Sequence, residues 1–144
     1  MGARRAARRA ALQALYALDL NPEQPPMGLL EQAIAEAGGE ADRPYAETLV
    51  RGAWDRRDEI DERIRGASRR WRLERMDRVD RSVLRLATYE LLASADVPAP
   101  IVLDEAVELA REFGAEDSPR FVNGILDRIA RELRPGETRP RRAP

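Results

Sequence analysis

The fold is decided by one stretch of the sequence, RVDRSVLRLATYELLASADVPAPIVLDEAVELAREFGAEDSPRFVNGILDRI, residues 78–129. Its apolar residues recur three or four positions apart, which predicts three helices, over about 78–93, 101–113 and 118–133. Asp77 is a candidate cap for the first of these helices, and Ser118 followed by Pro119 is a start signal for the third. No run of alternating β-branched residues occurs, so the pattern favours an all-α fold.

The sequence before this stretch is also helical in pattern. It predicts helices over about 4–20, 28–37 and 43–65, and a short helix or turn in RRWRLERMD, residues 69–77. Asn21-Pro22 ends the first helix, Gly38-Gly39 ends the second, and Asp42 is a candidate cap for the third. With the three later helices, this is an all-α domain of about seven helices, a number that allows two small packed bundles.

The length of 144 residues fits one domain, which we assign to residues 1–134. Residues 135–144 contain little apolar material and are predicted to be a basic, disordered tail. No apolar run is long enough to cross a membrane, and the basic start is not followed by the continuous apolar segment of a secretory signal. We therefore expect no membrane association and a cytoplasmic location.

The composition argues against an enzyme. The chain has no cysteine and no histidine, which removes thiol chemistry, thiolate metal sites and the commonest general base. No glycine pattern of the kind that holds a nucleotide phosphate is present. Two acidic clusters are interpreted as helix caps and solvated faces, namely Asp77/Asp80 and Asp104/Glu105/Glu108. We expect no catalytic residue, no metal site and no cofactor.

The formal net charge of −1 hides an uneven distribution of charge. Residues 1–18 carry four arginines and no acid, and residues 134–144 carry a net charge of +3, which leaves −8 on residues 19–133. All 25 basic residues are arginine, whose planar guanidinium suits phosphate groups. Basic ends on an acidic body indicate an anionic partner that is held at the ends.

The four N-terminal arginines form a group that we call the basic arm: Arg4, Arg5, Arg8 and Arg9. At about 100° per residue, Arg4 and Arg8 fall at nearly the same angle as Leu15, so they continue the leucine stripe of the first helix. Because an unpaired guanidinium is costly to bury, we predict that the first two turns project beyond the bundle and present the arm to a polyanion. The alternative is a frayed, solvated terminus.

A second candidate site lies in SPRFVNGILD, residues 118–127. Arg120, Phe121 and Asn123 offer a cation, a ring and an amide near a helix N-terminus, and these groups read unpaired RNA bases and phosphates. Phe121 also has a spacing compatible with the core. Gly124 is unfavourable inside a helix, and it is explained either by close helix packing or by the functional interpretation.

Together these segments resemble the NusB family of bacterial transcription antitermination factors. The first helix, RRAARRAALQALYALDL, is similar to the arginine-rich opening helix of the family. Three later segments follow in the family's order, RSVLRLATYEL, DEAVELAREFG and FVNGILD. The resemblance covers about residues 4–134 and is weakest over 21–75. It implies an all-helical fold of two small bundles and no enzymatic activity.

The resemblance also implies partners. It implies binding of the boxA element of nascent ribosomal RNA together with the small-subunit ribosomal protein NusE, in a complex that joins elongating RNA polymerase with NusA and NusG and suppresses termination. The implied RNA contacts are the start of the first helix and the RFVN segment: Arg4, Arg5, Arg8, Arg120, Phe121 and Asn123. We add Arg9 to the predicted RNA contacts because it adds positive charge to the basic arm. The implied NusE contacts lie on the helix that carries Asp80 and near the end of the first helix: Tyr16, Asp80, Arg81 and Leu84.

The chain departs from the family pattern at Arg9, where glutamate is frequent, at Asp104, where asparagine is usual, and in the arginine tail over 139–142. Other hypotheses stay open. One is a protein-interaction adaptor for a basic ribosomal protein, with only secondary RNA binding. Another is the accessory domain of an RNA methyltransferase, for which we expect the chain to be too short. A homodimer that covers the basic arm would be autoinhibitory, and the oligomeric state is left open.

Overall fold

The computed structural model describes residues 2–37 and 40–137. Within these residues the chain forms seven α-helices, a 3-10 helix at Leu73–Arg75 and no strand, which confirms the predicted all-α fold. The helices are α1 (Gly2–Leu20), α2 (Pro26–Glu36), α3 (Arg43–Asp55), α4 (Arg57–Ala67), α5 (Arg78–Ala93), α6 (Ala99–Phe113) and α7 (Ser118–Leu133). None of these helices is both long enough and apolar enough to span a membrane.

The helices pack as two bundles that are joined mainly through α5. α1, α2 and α3 pack against one another, and α4, α5, α6 and α7 form the second group. α1 and α3 both contact α5, so this helix joins the two groups.

α5 is enclosed on all sides. Every residue from Asp80 to Leu91 is buried, although four of them carry a charge. Buried charges are tolerated when they are paired. Arg85 meets this condition: its guanidinium donates to Asp61 of α4 at 2.8 Å and to Asp19 of α1 at 3.0 Å. The charged residues of α5 therefore connect it to helices in both bundles.

Asp19 holds the C-terminal end of α1 against α5. Its carboxylate accepts hydrogen bonds from Arg81 at 2.5 Å and from Arg85 at 3.0 Å. Burial raises the pKa of Asp19, but the hydrogen bonds from the two arginines outweigh burial and hold this pKa below its ordinary value. The carboxylate is therefore charged at neutral pH and serves as the shared acceptor for both arginines.

The predicted helix over 43–65 is wrong as a single element. The structure has two helices that meet at Arg56, whose φ of −102° and ψ of 20° depart from the helical values. α3 packs against α1, α2 and α5, whereas α4 packs against α5 and α7. Residues 55–59 are all polar and none is buried, so no core contact keeps the helix straight across this point.

The capping predictions are confirmed at two of three helix starts. The Asp42 carboxylate accepts from the backbone N–H of Tyr45 at 3.1 Å, and the Asp77 carboxylate accepts from that of Val79 at 2.8 Å. α7 begins at Ser118 as the start signal predicts, but Ser118 does not cap the helix, because its hydroxyl accepts from the N–H of Ala115 in the preceding turn and is buried there.

The boundary placed at residue 134 also needs correction. Residues 135–137 form a turn, and the Glu137 carboxylate accepts from the backbone N–H of Ala99 at 3.1 Å and from Arg134 at 2.9 Å. The Arg134 guanidinium in turn donates to three carbonyl oxygens at and beyond the end of α5, those of Leu91, Ser94 and Val97. The folded domain thus extends to Glu137. The rest of the predicted tail, 138–144, and the predicted stop Gly38-Gly39 lie outside the described residues.

Two helix glycines have opposite surroundings. At Gly52 in α3, a Cβ atom would overlap the ring of Tyr89 from α5, so glycine permits a close approach of the two helices. At Gly124 in α7, a Cβ atom would meet nothing within 4 Å. Close helix packing, one of the two explanations for Gly124, is therefore wrong.

This difference predicts opposite effects of one substitution. Gly52→Ala should lower the free energy of unfolding by about 1–3 kcal/mol, because the core has to shift to admit the methyl group. Gly124→Ala should raise it by up to about 1 kcal/mol, because alanine is the better helix former and has room. Urea denaturation followed by circular dichroism measures both. A destabilised Gly124→Ala variant would contradict the open surroundings of this residue.

Candidate nucleic-acid interface

The basic arm does not project beyond the bundle. α1 begins at Gly2, Ala7 is already fully buried, and the carbonyl oxygen of Ala3 accepts from the N–H of Asp42. The helical wheel predicted that Arg8 lies on the same side of α1 as the leucines, and this is confirmed, because the Arg8 side chain points inward with them. The predicted overhang is wrong, because the buried guanidinium has a partner.

That partner is Glu90 of α5. Arg8 is 5% exposed and Glu90 is 2% exposed, and Arg8 Nη2 lies 2.6 Å from Glu90 Oε2 while Nε lies 3.0 Å from Oε1. Burial lowers the pKa of Arg8, but the hydrogen bond and the charge of Glu90 outweigh burial and raise it. Arg8 is thus a charged internal residue, which corrects its assignment as a direct RNA contact.

Tyr45 of α3 completes this buried cluster. Its hydroxyl donates to Glu90 Oε2 at 2.5 Å, and its ring lies beneath the guanidinium of Arg4 at 4.2 Å. Burial and the hydrogen bond to Glu90 raise the pKa of Tyr45 to about 12. The hydroxyl therefore stays protonated and remains a donor at physiological pH.

The other three arginines of the arm are accessible. The side chains of Arg4, Arg5 and Arg9 are 42%, 56% and 46% exposed, so a ligand can reach each of them. Each one lies 3.0–3.3 Å from a carboxylate of the second bundle: Asp96, Glu105 and Glu112, in that order. The pairs of Arg4 with Asp96 and of Arg9 with Glu112 are exposed on both sides. Exposed ion pairs contribute about 0–1 kcal/mol, so an RNA phosphate can replace these two carboxylates at small cost. The Glu105 carboxylate is only 14% exposed.

The RFVN segment lies on the first turns of α7. Arg120 and Asn123 are exposed, and Phe121 is half-buried. The ring of Phe121 meets Trp71 edge to face, with centroids 6.2 Å apart and planes at 83°. Trp71 is 60% exposed, and sequence reasoning missed it as a site residue. The signal was present in RRWR, an aromatic residue among arginines, which is typical of nucleic-acid surfaces.

The four residues assigned to a protein partner have different environments. Tyr16 is 37% exposed, and Leu20, one turn further along α1, is 56% exposed. Asp80 and Arg81 are buried, Arg81 being held by Asp19 and by the carbonyl oxygen of Leu73. Leu84 has no exposed surface, because it faces the core that α5 shares with both bundles. Its assignment as a direct partner contact is therefore wrong.

Asp80 sits at the buried start of α5. Burial raises the pKa of Asp80 above its ordinary value. Within residues 2–37 and 40–137, no group of three or more acidic side chains is arranged to hold a metal ion.

Comparison with known proteins identifies the family. The model of the NusB family matches residues 5–131. The chain belongs to the NusB family. A curated member, the transcription antitermination protein NusB of Geobacter sulfurreducens, is 50% identical over 134 residues, which cover 92% of this chain and 97% of that protein. NusB proteins are transcription antitermination factors and not enzymes, which confirms the expected absence of enzymatic activity.

Solved NusB structures share the fold. T. maritima NusB superposes with a TM-score of 0.80 at 40% identity, covering 90% of this chain and 91% of that one. A crystal structure of antitermination factors NusB and NusE in complex with dsRNA contains a chain with a TM-score of 0.80 at 28% identity. That match covers 92% of this chain and 98% of the other.

In this NusB-family chain, Arg8 and Arg9 should differ in their effect on stability. Arg8→Ala leaves Glu90 charged and buried without its main partner, so the free energy of unfolding should fall by about 3–5 kcal/mol. Arg9→Ala removes an exposed pair with Glu112, and the loss should be below about 1 kcal/mol. Thermal and urea denaturation measure both. Equal stability of the two variants would mean that the Arg8–Glu90 pair does not hold the helices together.

Proposed function

We propose that this protein is an RNA-binding antitermination factor that binds boxA RNA of nascent ribosomal RNA together with NusE and promotes processive transcription. The observation that carries the proposal is the match, over nearly the whole fold, to the chain found with NusE and dsRNA. The accessible arginines of the basic arm and the exposed polar residues of α7 support it independently.

The phosphate contacts are assigned to Arg4, Arg5 and Arg9. All three are accessible, and each one pairs with a carboxylate. A phosphate that replaces a carboxylate keeps the guanidinium paired, so binding is an exchange of anions. The role of Arg8 is indirect. Its hydrogen bond to Glu90 orients α1 and so fixes the face on which the other arginines lie.

The base contacts are assigned to α7. Phe121 offers a ring edge-on to Trp71, and Arg120 and Asn123 offer exposed donors beside it. Unpaired bases are recognised by stacking and by hydrogen bonds to their edges, while phosphates supply most of the affinity.

The NusE contact is assigned to the end of α1. Tyr16 and Leu20 form an exposed apolar pair one turn apart, and the acidic charge of residues 19–133 suits a basic ribosomal protein. The same acidic body supports the second hypothesis, an adaptor for that protein with secondary RNA binding. Assembly with RNA polymerase, NusA and NusG, and a cytoplasmic location, form part of the proposal, and a homodimer covering the arm is a further hypothesis.

Single arginine variants test the RNA proposal. Arg5→Ala and Arg9→Ala should each weaken boxA RNA binding and reduce the slope of log affinity against log salt by about 0.7–0.9, the value for one lost phosphate contact. Arg51→Ala is the matched control, because Arg51 is an exposed arginine of α3 and does not belong to the basic arm. Fluorescence anisotropy across a salt series measures the slopes. Identical slopes for all three variants would count against the basic arm as the phosphate site.

Tyr16→Ala tests the protein contact. We expect weaker NusE binding with unchanged melting, because the side chain is 37% exposed and contributes apolar surface. Phe113→Ala is the control, since Phe113 is a 36% exposed aromatic residue at the end of α6. Calorimetry and a pull-down with nuclease measure retention. Full retention of wild type without RNA favours the adaptor hypothesis, and normal binding by Tyr16→Ala excludes this residue as a contact.

A further inference from the structure

Tyr45 of α3 lies where three parts of the chain meet. Its ring faces Arg4 near the start of α1, with the guanidinium carbon 4.2 Å from the ring centroid. Its hydroxyl donates to Glu90 of α5 at 2.5 Å and lies 3.3 Å from the hydroxyl of Ser94, directly after α5. The side chain of Tyr45 is therefore fixed at its far end, while its ring contacts Arg4.

The backbone of Tyr45 is held as well. Asp42 caps α3 by accepting from the N–H of Tyr45 at 3.1 Å. The N–H of Asp42 in turn donates to the carbonyl oxygen of Ala3 at 2.9 Å. Because Ala3 directly precedes Arg4 in α1, this hydrogen bond fixes the start of α1 beside the ring. The ring and the arginine are thus carried by two backbones that are bonded to each other.

The carboxylate that pairs with Arg4 is more exposed than those that pair with Arg5 and Arg9. The Asp96 side chain is 68% exposed, against 14% for Glu105 and 43% for Glu112. The distance of 3.3 Å from Arg4 Nη1 to Asp96 Oδ2 is also the longest of these three contacts. Water weakens such an exposed pair, whereas a ring attracts a cation without carrying a charge of its own.

A guanidinium that lies on a ring keeps donors for an oxygen acceptor. The ring attracts the cation through its π face, and Arg4 Nη1 donates to Asp96 at the same time. A phosphate oxygen in the place of the Asp96 carboxylate meets the same donor. The phosphate therefore does not have to break the contact with the ring. An arginine that is already ordered also loses less conformational freedom when it binds.

We propose that Tyr45 is a positioning residue for RNA binding, whose ring holds the Arg4 guanidinium in place for an RNA phosphate that replaces Asp96. This inference rests on the proposed function, in which Arg4 contacts a phosphate. It gives α3 a role in RNA binding, although this helix supplies no residue to the basic arm or to the RFVN segment. The hydroxyl of Tyr45 has a separate role, since it binds Glu90 inside the fold.

A matched pair of substitutions isolates the ring. Tyr45→Phe and Tyr45→Leu both remove the hydroxyl and its hydrogen bond to Glu90, but only Tyr45→Leu removes the ring. Tyr45→Phe should bind boxA RNA within about twofold of wild type, and Tyr45→Leu about three- to tenfold more weakly, because the RNA then has to order Arg4. Fluorescence anisotropy with labelled RNA measures the affinities. Circular dichroism measures the stability that both variants lose.

A double-mutant cycle shows whether the ring acts through Arg4. In the Arg4→Ala background, Tyr45→Leu should have no further effect on RNA affinity. In the Arg9→Ala background, it should weaken binding by the same factor as in the wild-type chain. A general loosening of the fold would lower the affinity in both backgrounds. The same holds for an effect through Arg8, whose guanidinium carbon lies 5.7 Å from the ring centroid.

An NMR measurement on the wild-type chain does not depend on the stability of a Tyr45 variant. The side-chain protons of Arg4 should be shifted upfield, because ring currents shield protons that lie over an aromatic face. Arg4→Ala assigns these signals by their absence. The upfield shift should persist when boxA RNA is added to saturation. Its loss on RNA binding would show that the guanidinium leaves the ring, which overturns the inference.

The affinity measurements separate this inference from the proposed function. Equal affinities of Tyr45→Phe and Tyr45→Leu, while wild type binds boxA RNA, overturn the inference and leave the proposed function standing. A further loss of affinity from Tyr45→Leu in the Arg4→Ala background does the same. If wild type does not bind boxA RNA, the proposed function fails, and the role of Tyr45 in RNA binding fails with it.

Discussion

The buried ion pair between Arg8 of α1 and Glu90 of α5 is the interaction on which the arrangement of the two bundles depends. The two side chains are 5% and 2% exposed, so neither charge is tolerable without the other. Glu90 also accepts from Tyr45 of α3, and one carboxylate thereby joins three helices. At the other end of α1, the Asp19 carboxylate accepts hydrogen bonds from Arg81 and Arg85 of α5. α1 is thus clamped to α5 by charge at both ends.

This clamp sets the chemistry of the basic arm. With Arg8 fixed inward, Arg5 and Arg9 lie along α6 and meet Glu105 and Glu112. Under the proposed function, RNA binding at the arm is an exchange of one anion for another, so its net gain in free energy is smaller than for unpaired arginines.

The surface around Trp71 has a different electrostatic character. Within the described residues, Arg69, Arg70 and Arg120 form no ion pair, although Glu74 and Glu132 contribute to the same surface. Trp71 is 60% exposed and meets Phe121 edge to face there.

Local sequence was enough to determine the helices. The predicted bounds of α5 and α7 agree with the structure, and Asp42 and Asp77 cap as predicted, because periodicity and capping depend on residues within one turn. The single helix predicted over 43–65 is broken at Arg56, since the two parts pack against different neighbours. Packing partners are a property of the fold and leave no local mark in the sequence.

The sequence by itself also determined the residue types of the site and the inward direction of Arg8. Whether that inward arginine overhangs or is buried depended on Glu90, which lies 82 positions away. The pairing of Trp71 with Phe121 and the open space at Gly124 likewise came from the contact between α4 and α7. A helix pattern is set by neighbours in the chain, whereas the cost of a buried charge is set by neighbours in space, and only the tertiary structure supplies those.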